Sequence, residues 1–430
     1  MTMAGGAAAI EAEAFTNSGR WRGEISSARG WGPLGLAFLA RMARNPVSAL
    51  PAECYERHDV ARRVAHRLVF FPTAPETVRD LFRQDGNALA IADMQVRRFQ
   101  PAIGEGMIAA TGDVWQRQRD VGQQVLSEAS RRMVPGEFAL DLAAQLAPPG
   151  ADLLTTLKQA CLARFIDLLF PRENPADADL PIGELSRAVD AFALSRQRIA
   201  LADIVPLPAR GAAVTHAFDA LIEAEANRSG LQCRLAAARV PMRDFIASML
   251  IGFYPTAIAL AWLAVAASRD RRLAHALYDE ARSVAADDIS PRTMPLAMAA
   301  LQEALRLYPP FPFATREAVQ DCSIGRHHVR RGTLVLASPL LVHRHARLWR
   351  APDRFDPARF AGSRPPRESY FPFGAGERLC IGAGLSMRVL LEGAHALFAG
   401  APGRVANALS VRERGMFLLL PDRPLEWNGR

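Results

Sequence analysis

Lysine and cysteine are both scarce in this chain of 430 residues. Lys158 is the only lysine, so nearly all of the 52 basic residues are arginine. This bias is typical of a GC-rich coding sequence and is also compatible with a basic face for an acidic partner. The five cysteines form no C-x-x-C pair. Their spacing argues against a disulfide framework or a structural zinc site and favours a reducing cytoplasm.

The sequence also shows no clear secretory signal, membrane anchor or nucleic-acid-binding pattern. Residues 4–10 are small and apolar, but Glu11 and Glu13 follow at once, so the start does not resemble a secretory signal peptide. We expect no membrane anchor, because no uninterrupted apolar run of the roughly 18–20 residues that a bilayer requires is evident. The formal net charge is +8 without a compact basic run interleaved with aromatic residues. Nucleic-acid binding is therefore not predicted.

What is present predicts a mainly α-helical chain with small β-sheets. Residues 1–30 are small, polar and aperiodic, which predicts a flexible N-terminal segment, and residues 31–430 are predicted to form a single domain. We expect a loop region over 87–112, a long central helix over about 242–268 and a final helix over about 382–399.

The segment 371–384 carries the strongest chemical signal. It places Phe373, Arg378 and Cys380 in a glycine-rich loop. The glycines lie at 374, 376, 382 and 384. Glycine permits close backbone approaches, so amide groups can press against the Cys380 sulfur, and the start of the following helix favours a thiolate. Arg378 adds a positive charge and Phe373 an apolar shield. The pattern is suited to holding an anionic sulfur against a metal cofactor.

The run from Phe373 through Arg378 and Cys380 to Gly382 resembles the heme loop of the cytochrome P450 superfamily, F-G-x-G-x-R-x-C-x-G. The resemblance implies a triangular helical domain with heme b (iron protoporphyrin IX) between a central helix and this loop. It implies that the Cys380 thiolate is the proximal iron ligand, which favours O–O cleavage. It also implies that Arg378 contacts a heme propionate.

Further motifs resemble the same family. Glu303 and Arg306 form an E-x-x-R pair whose side chains share one helix face. In the family an arginine from a later segment completes this structural triad, and Arg359 is the candidate, with Arg354 as the alternative. His343 matches a recurring family stretch, where a structural hydrogen bond is expected.

Additional heme contacts are implied by the resemblance. Trp115 and Arg119, spaced i and i+4, share one helix face and match the pair that supplies donors to a propionate in the family. Arg316 falls where the family often has another propionate arginine.

The central helix departs from the family pattern. Family monooxygenases carry an acid and an alcohol there, which relay protons to iron-bound dioxygen. Here Gly252 fills the glycine position, Tyr254 replaces the acid, Pro255 replaces the alcohol, and Thr256 follows one residue late. Proline removes an N–H and clashes with the carbonyl four residues back, that of Ile251, so a kink is expected. Tyr254 and Thr256 are the candidate catalytic residues.

The reaction stays open at this point. We expect a monooxygenase that oxidises a hydrophobic or secondary-metabolite small molecule with electrons from a separate ferredoxin or flavodoxin and its reductase. The alternatives are a peroxide-using peroxygenase, a non-oxidative dehydratase or isomerase, and a heme-binding protein without turnover. A monomeric, cytoplasmic, bacterial-type protein is expected. The aromatic candidates for the substrate pocket are Phe99, Phe253, Phe311, Phe313 and Phe417.

Overall fold

The structure of the chain is a computed structural model. It describes residues 45, 47, 50, 52–64, 67–148, 150–171, 182–197, 230–362, 364–402, 404–415 and 417–428. The flexible segment expected over 1–30 lies outside the described residues.

Helices dominate the described residues. In chain order they are α1 Glu53–Glu56, α2 Pro75–Gln84, α3 Asp93–Ile103, α4 Gly112–Arg132, α5 Glu137–Leu146, α6 Leu153–Leu169, α7 Ile182–Gln197, α8 Gly230–Ala237, α9 Met242–Leu250, α10 Phe253–Arg269, α11 Arg271–Ser283, α12 Pro295–Leu307, α13 Pro339–His343 and α14 Ala383–Ala399. Short 3₁₀ turns lie at Ala286–Asp288, Pro357–Phe360, Gly376–Arg378 and Ala408–Ser410.

The strands are short and form one larger sheet and three two-stranded ribbons. They are β1 Val60–Val64, β2 Arg67–Phe71, β3 Leu89–Ile91, β4 Ala314–Ala318, β5 Cys322–Ile324, β6 His327–Val329, β7 Leu334–Ala337, β8 Arg404–Val405, β9 Glu413–Arg414, β10 Leu420–Pro421 and β11 Trp427–Asn428. The larger sheet has the order β1-β2-β7-β4-β3, and only its β2–β7 pair is parallel. The prediction of a mainly helical fold with small sheets is confirmed.

The core lies around α10, which packs against α6, α12 and α14. Trp262, in the middle of α10, is fully buried and stacks on Tyr308 with ring centroids 4.2 Å apart. Its indole N–H donates to the Leu419 carbonyl over 2.8 Å. A buried indole requires such a partner, so this bond fixes the helix against the C-terminal strands.

The expectation that no apolar run reaches bilayer length is wrong. Residues 245–268 carry no charged side chain. The helical stretch Met242–Arg269 is long and apolar enough to cross a membrane by length and composition, yet 83% of its apolar window is buried inside the structure. A helix that is apolar on all sides is also what the centre of a large globular core requires.

The central helix is interrupted where the proline predicts a distortion. α9 ends at Leu250 and α10 begins at Phe253, with helical backbone angles at Ile251 and Gly252 between them. Pro255 lies in the first turn of α10, where a missing N–H costs least. Two helices therefore stand in place of the single helix expected over 242–268.

The loop expected over 87–112 is partly wrong. This region contains strand β3 and helix α3 before the chain reaches α4. β3 is an edge strand that pairs with β4, bringing Ile91 opposite Arg316. A three-residue edge strand carries too little periodicity to be recognised in a sequence, because its stability comes from its partner.

A buried ion-pair cluster joins α12 to the 3₁₀ turn at Pro357–Phe360. The guanidinium of Arg306 donates hydrogen bonds of 2.7 and 2.8 Å to the two carboxylate oxygens of Glu303, and both side chains are fully buried. Arg359 reaches the same carboxylate over 3.3 Å. The backbone of Arg354 instead accepts from Arg306 over 3.0 Å. The structure thus brings Arg359 to the triad as its third side chain.

Removing the shared anion should be costly. In a Glu303→Gln variant, Arg306 and Arg359 lose their only carboxylate partner in the cluster, and we expect the free energy of unfolding to fall by about 3–5 kcal/mol. Urea unfolding measures this change. The control is Asp93→Asn, which breaks the exposed Asp93–Arg97 pair and should cost about 0–1 kcal/mol. A loss in Glu303→Gln no larger than in the control would contradict the assignment.

Candidate functional site

The cysteine loop is held in shape by its own backbone. The amide of Cys380 donates to the Phe373 carbonyl over 3.0 Å, which closes the loop on itself. Gly374 and Gly376 adopt positive φ angles of 74° and 69°. A Cβ on Gly376 would lie 2.8 Å from the carbonyl oxygen of Phe82, so α2 approaches the loop too closely for any side chain.

Cys380 is an exposed residue, although the protein around its thiol raises the pKa of the thiol by burial. Two groups act in the opposite direction. The Gly382 amide donates a hydrogen bond to the sulfur, and the positive charge of Arg119 lies nearby; both lower the pKa. The Gly382 amide can donate this hydrogen bond because Gly382 is the N-cap of α14. The amide donor and the nearby cation thus both support the sulfur as an anion.

A cluster of cations surrounds a buried indole beside this loop. The guanidinium carbons of Arg378 and Arg119 lie 4.4 and 5.2 Å from the ring centroid of Trp115. Arg119 donates two hydrogen bonds of 3.1 Å to the carbonyl of Leu379, the residue before the cysteine. Burial and the charge of Arg316 lower the pKa of Arg378 to about 10. The structure therefore brings Trp115, Arg119, Arg316 and Arg378 together beside the loop, and their contacts with a heme propionate stay a prediction.

Arg316 has a partner that the sequence did not reveal. Its guanidinium binds both oxygens of Asp85 over 2.6 and 2.9 Å, and both side chains are buried. Asp85 follows α2, and its role is visible only once β3 and β4 bring the two segments together. Arg316 thus holds the buried Asp85 carboxylate, and the charges of Arg316, Arg119, Asp85 and the exposed Glu377 all act on Arg378.

These residues fit the predicted heme. A cysteine sulfur flanked by an amide donor and a cation is a suitable iron ligand, because the thiolate is the ligating form. The guanidinium groups of Arg119, Arg316 and Arg378 outnumber the nearby acids Asp85 and Glu377, and this positive charge beside Trp115 suits an anionic group such as a heme propionate. The positions of Trp115, Arg119, Arg378 and Cys380 carry this fit.

His343 anchors the start of the cysteine loop. Its Nε2 accepts a hydrogen bond of 2.9 Å from the backbone amide of Phe371, and the ring is fully buried. Arg306 in turn donates to the His343 carbonyl over 2.7 Å. The structural hydrogen bond expected of His343 is present.

The two faces of α10 point to different neighbours. On one face Leu260 packs against Gly393 of α14, where an added Cβ would lie 2.6 Å from a Leu260 methyl group. Thr256 shares that face, because it lies four residues before Leu260. Two residues along a helix differ by about 200° in direction, so Tyr254 lies on the opposite face. Tyr254 indeed contacts Lys158 of α6.

The start of this region also lies beside the cysteine loop. A Cβ added to Gly122 of α4 would lie 2.9 Å from the Ile381 side chain and 3.4 Å from the Met249 sulfur. The end of α9 is therefore a neighbour of the residue that follows Cys380.

Thr256 and Tyr254 are bound in different ways. The Thr256 hydroxyl is buried and donates to the Gly252 carbonyl over 2.8 Å, a bond that favours a bent helix. The Tyr254 hydroxyl donates to Asp190 of α7 over 2.5 Å, and burial, with the charge of Asp190, raises the pKa of the phenol well above its usual range. A proton relay through either residue stays a prediction, and the arrangement favours Thr256.

The aromatic pocket candidates fall into separate places. Phe311 and Phe417 meet at 5.4 Å between ring centroids. Phe313 is partly buried against the core, and Phe253 is buried against the ring of Tyr254. The side chain of Phe99 is outside the described part of the molecule. The structure thus brings together one pair of the five.

Comparisons with known proteins agree with this geometry. Residues 235–391 match the family model "Cytochrome P450". The chain is 35% identical to cytochrome P450 137 of Mycobacterium tuberculosis over 154 residues, which cover 36% of this chain and 31% of the relative. It is 34% identical to cytochrome P450 714B3 of Zea mays over 145 residues, which cover 32% and 27%. The matches thus span less than a third of either relative.

The fold comparison extends further along the chain. A zebra fish cytochrome P450 whose structure contains progesterone aligns with a TM-score of 0.72 and 19% sequence identity. The alignment covers 86% of this chain and 96% of that structure. At this identity the likeness shows the fold, and it confirms the expected helical architecture around the cysteine loop.

The buried His343 generates a pH dependence. Burial lowers its pKa to about 3, whereas an unfolded histidine titrates near 6.5. Between these values the unfolded chain binds a proton that the folded chain excludes, so the free energy of unfolding should fall by roughly 1.4 kcal/mol per pH unit as the pH drops. The contribution is fully present above about pH 6.5.

A His343→Gln variant keeps a hydrogen-bond acceptor without this titration. We expect the slope of unfolding free energy against pH, measured between pH 4 and 6, to be shallower by that amount. His345→Gln is the comparison variant. Burial lowers the pKa of His345 to about 4, so His345 is a second group that binds a proton in the unfolded chain and excludes it in the folded chain. A wild-type slope in His343→Gln would show that its ring is already charged in the folded protein.

Proposed function

The chain belongs to the cytochrome P450 superfamily, and we propose that it is a heme-thiolate monooxygenase acting on a hydrophobic small molecule. The observation that carries this proposal is the Cys380 sulfur in its closed loop, with the Gly382 amide and the charge of Arg119 beside it. Members of the superfamily bind heme, and we propose that Cys380 is its axial ligand in this protein.

We propose specific roles for the surrounding side chains. Heme held by the Cys380 thiolate would supply the iron chemistry of the oxidation. Trp115, Arg119 and Arg378, which lie together beside the cysteine loop, would hold its propionates, and Asp85 keeps Arg316 beside them. A guanidinium or N–H paired with each propionate would orient the cofactor.

Thr256 is the proposed proton-handling residue. Its hydroxyl lies on the α14 side of α10, and while it donates to Gly252 its oxygen can still accept a hydrogen bond. Tyr254 is a poorer candidate, because its hydroxyl is occupied by Asp190 on the other face. The stretch 245–268 contains no acid to accompany Thr256.

That missing acid favours a second candidate function, a peroxygenase. Peroxide brings both oxygen atoms already reduced, so this reaction needs no relay of protons to dioxygen. Tyr254 and Pro255 stand where an acid and an alcohol are expected, which is the specific observation in favour of this reaction.

The finer assignments belong to the same proposal. Electrons would come from a separate ferredoxin or flavodoxin and its reductase, attracted by the arginine-rich composition. Phe311 and Phe417 form the aromatic pair proposed to line the substrate pocket. We propose a single domain over 31–430, and a monomeric, cytoplasmic protein of bacterial type active in secondary metabolism.

Replacing the sulfur tests the ligand. We expect Cys380→Ser to lose the thiolate-type Soret band of the reduced carbon monoxide complex, because an alcohol cannot replace the thiolate. The spectrum of the purified protein measures this, and the control is Cys233→Ser, which changes an exposed cysteine. If Cys380→Ser retains that band, the ligand is another residue and the proposal fails.

The oxidant decides between the two candidate functions. With a ferredoxin, its reductase and reduced nicotinamide, we expect the wild-type protein to form product, and Thr256→Ala to lower this rate by roughly 10²-fold while diverting electrons to hydrogen peroxide. The matched control is Ser268→Ala, since Ser268 makes the same bond to a carbonyl four residues back on α10. Product that forms only with peroxide, and not with the ferredoxin, its reductase and reduced nicotinamide, would overturn the monooxygenase in favour of the peroxygenase.

A further inference from the structure

The only lysine of the chain is buried beside the central helix. Lys158, on α6, has a side chain that is 7% exposed, and its Nζ lies 2.6 Å from Asp190 of α7. Burying an ion pair is costly unless its members make further bonds, so a structural explanation of this pair must include its other contacts.

Tyr254 supplies the other contact. Its hydroxyl donates to the second oxygen of Asp190 over 2.5 Å, while Lys158 binds the first. The ammonium group also lies 5.5 Å from the centroid of the Tyr254 ring. The three side chains thus join α6, α7 and the first turn of α10 through one carboxylate.

From this geometry we infer that Lys158 and Asp190 are positioning residues for the first turn of α10. That turn follows the interruption at Ile251 and Gly252, so it lacks the continuous hydrogen bonding of an unbroken helix. Pro255 removes a further backbone donor. The bond from Tyr254 to Asp190 therefore holds a turn that the backbone alone holds weakly.

The use of lysine follows from the geometry of the carboxylate. Asp190 offers one oxygen to Tyr254 and one to the cation. An ammonium group is a compact charge that is satisfied by a single oxygen, whereas the planar fork of arginine favours both oxygens at once. Arginine at position 158 would therefore compete with the Tyr254 hydroxyl.

The consequence for the site rests on the proposed function. Thr256 lies two residues after Tyr254 on the opposite face of the same turn. A displacement of this turn moves the Thr256 hydroxyl, although Lys158 itself contacts neither Thr256 nor the cysteine loop in the described interactions. Lys158 is thus a positioning residue and not a catalytic one.

Hydrogen–deuterium exchange of the full-length holoprotein tests the inference. In Lys158→Met we expect the amides of the first two turns of α10 to exchange about tenfold faster than in wild type. Arg164→Met is the matched control, since Arg164 lies on the same helix, is also 7% exposed and pairs with Glu137 over 2.5 Å. The control should leave the exchange of α10 unchanged.

A second variant keeps the test decisive if Lys158→Met does not fold. Tyr254→Phe removes one oxygen atom and should give the same local acceleration, with no further increase in the double variant. Lys158→Arg should also accelerate exchange, because its fork displaces Tyr254. Wild-type exchange in Lys158→Met or Tyr254→Phe, or equal acceleration in Arg164→Met, would overturn the inference.

The catalytic consequence is read separately. With redox partners supplied, the fraction of electrons released as hydrogen peroxide should rise in Lys158→Met and stay at the wild-type value in Arg164→Met. Accelerated exchange with an unchanged peroxide fraction would overturn the link to Thr256. If the variants show the expected exchange but the wild-type protein lacks the thiolate-type carbon monoxide band, the result counts against the proposed function and not against the inference about Lys158.

Discussion

The pairing of Arg306 with Glu303 is the interaction on which the position of the cysteine depends. Arg306 binds both oxygens of Glu303 and also donates to the His343 carbonyl. His343 then accepts from the amide of Phe371, at the start of the loop that carries Cys380. Because every link is buried and uses a defined hydrogen bond, a displacement in α12 is transmitted to the sulfur through few contacts.

The central helix combines two tasks that conflict in an unbroken helix. It must fill the core, which its uncharged residues 245–268 achieve, and it must bend near the cysteine loop. The interruption at 251–252 separates these tasks, because α10 packs on α6, α12 and α14 while α9 lies beside Ile381. The bent turn then needs support from side chains, which Tyr254 and Thr256 provide on opposite faces.

The sequence predicted the parts of the site that are local. The sequence reveals the cysteine loop, the Glu303–Arg306 pair and the Trp115–Arg119 pair, because the residues of each motif are close together along the chain as well as in the structure. The sequence did not predict strand β3 or the roles of Asp85 and Asp190. Each acquires its role from a partner more than thirty residues away, and a single carboxylate in a sequence carries no sign of such a partner. The scarcity of lysine was visible, but its meaning required the neighbours of Lys158.

Arginine suits this fold because a guanidinium group can be satisfied by backbone carbonyl groups. Arg306, Arg119 and Arg378 each donate to backbone carbonyl groups, which are available wherever a helix or turn ends. A guanidinium has five donors, so carbonyl oxygens can satisfy it with few acids nearby, and a chain with a net charge of +8 can bury several such groups. An ammonium gains less from scattered carbonyls. The one lysine of the chain, Lys158, binds one oxygen of Asp190, while Tyr254 binds the other oxygen.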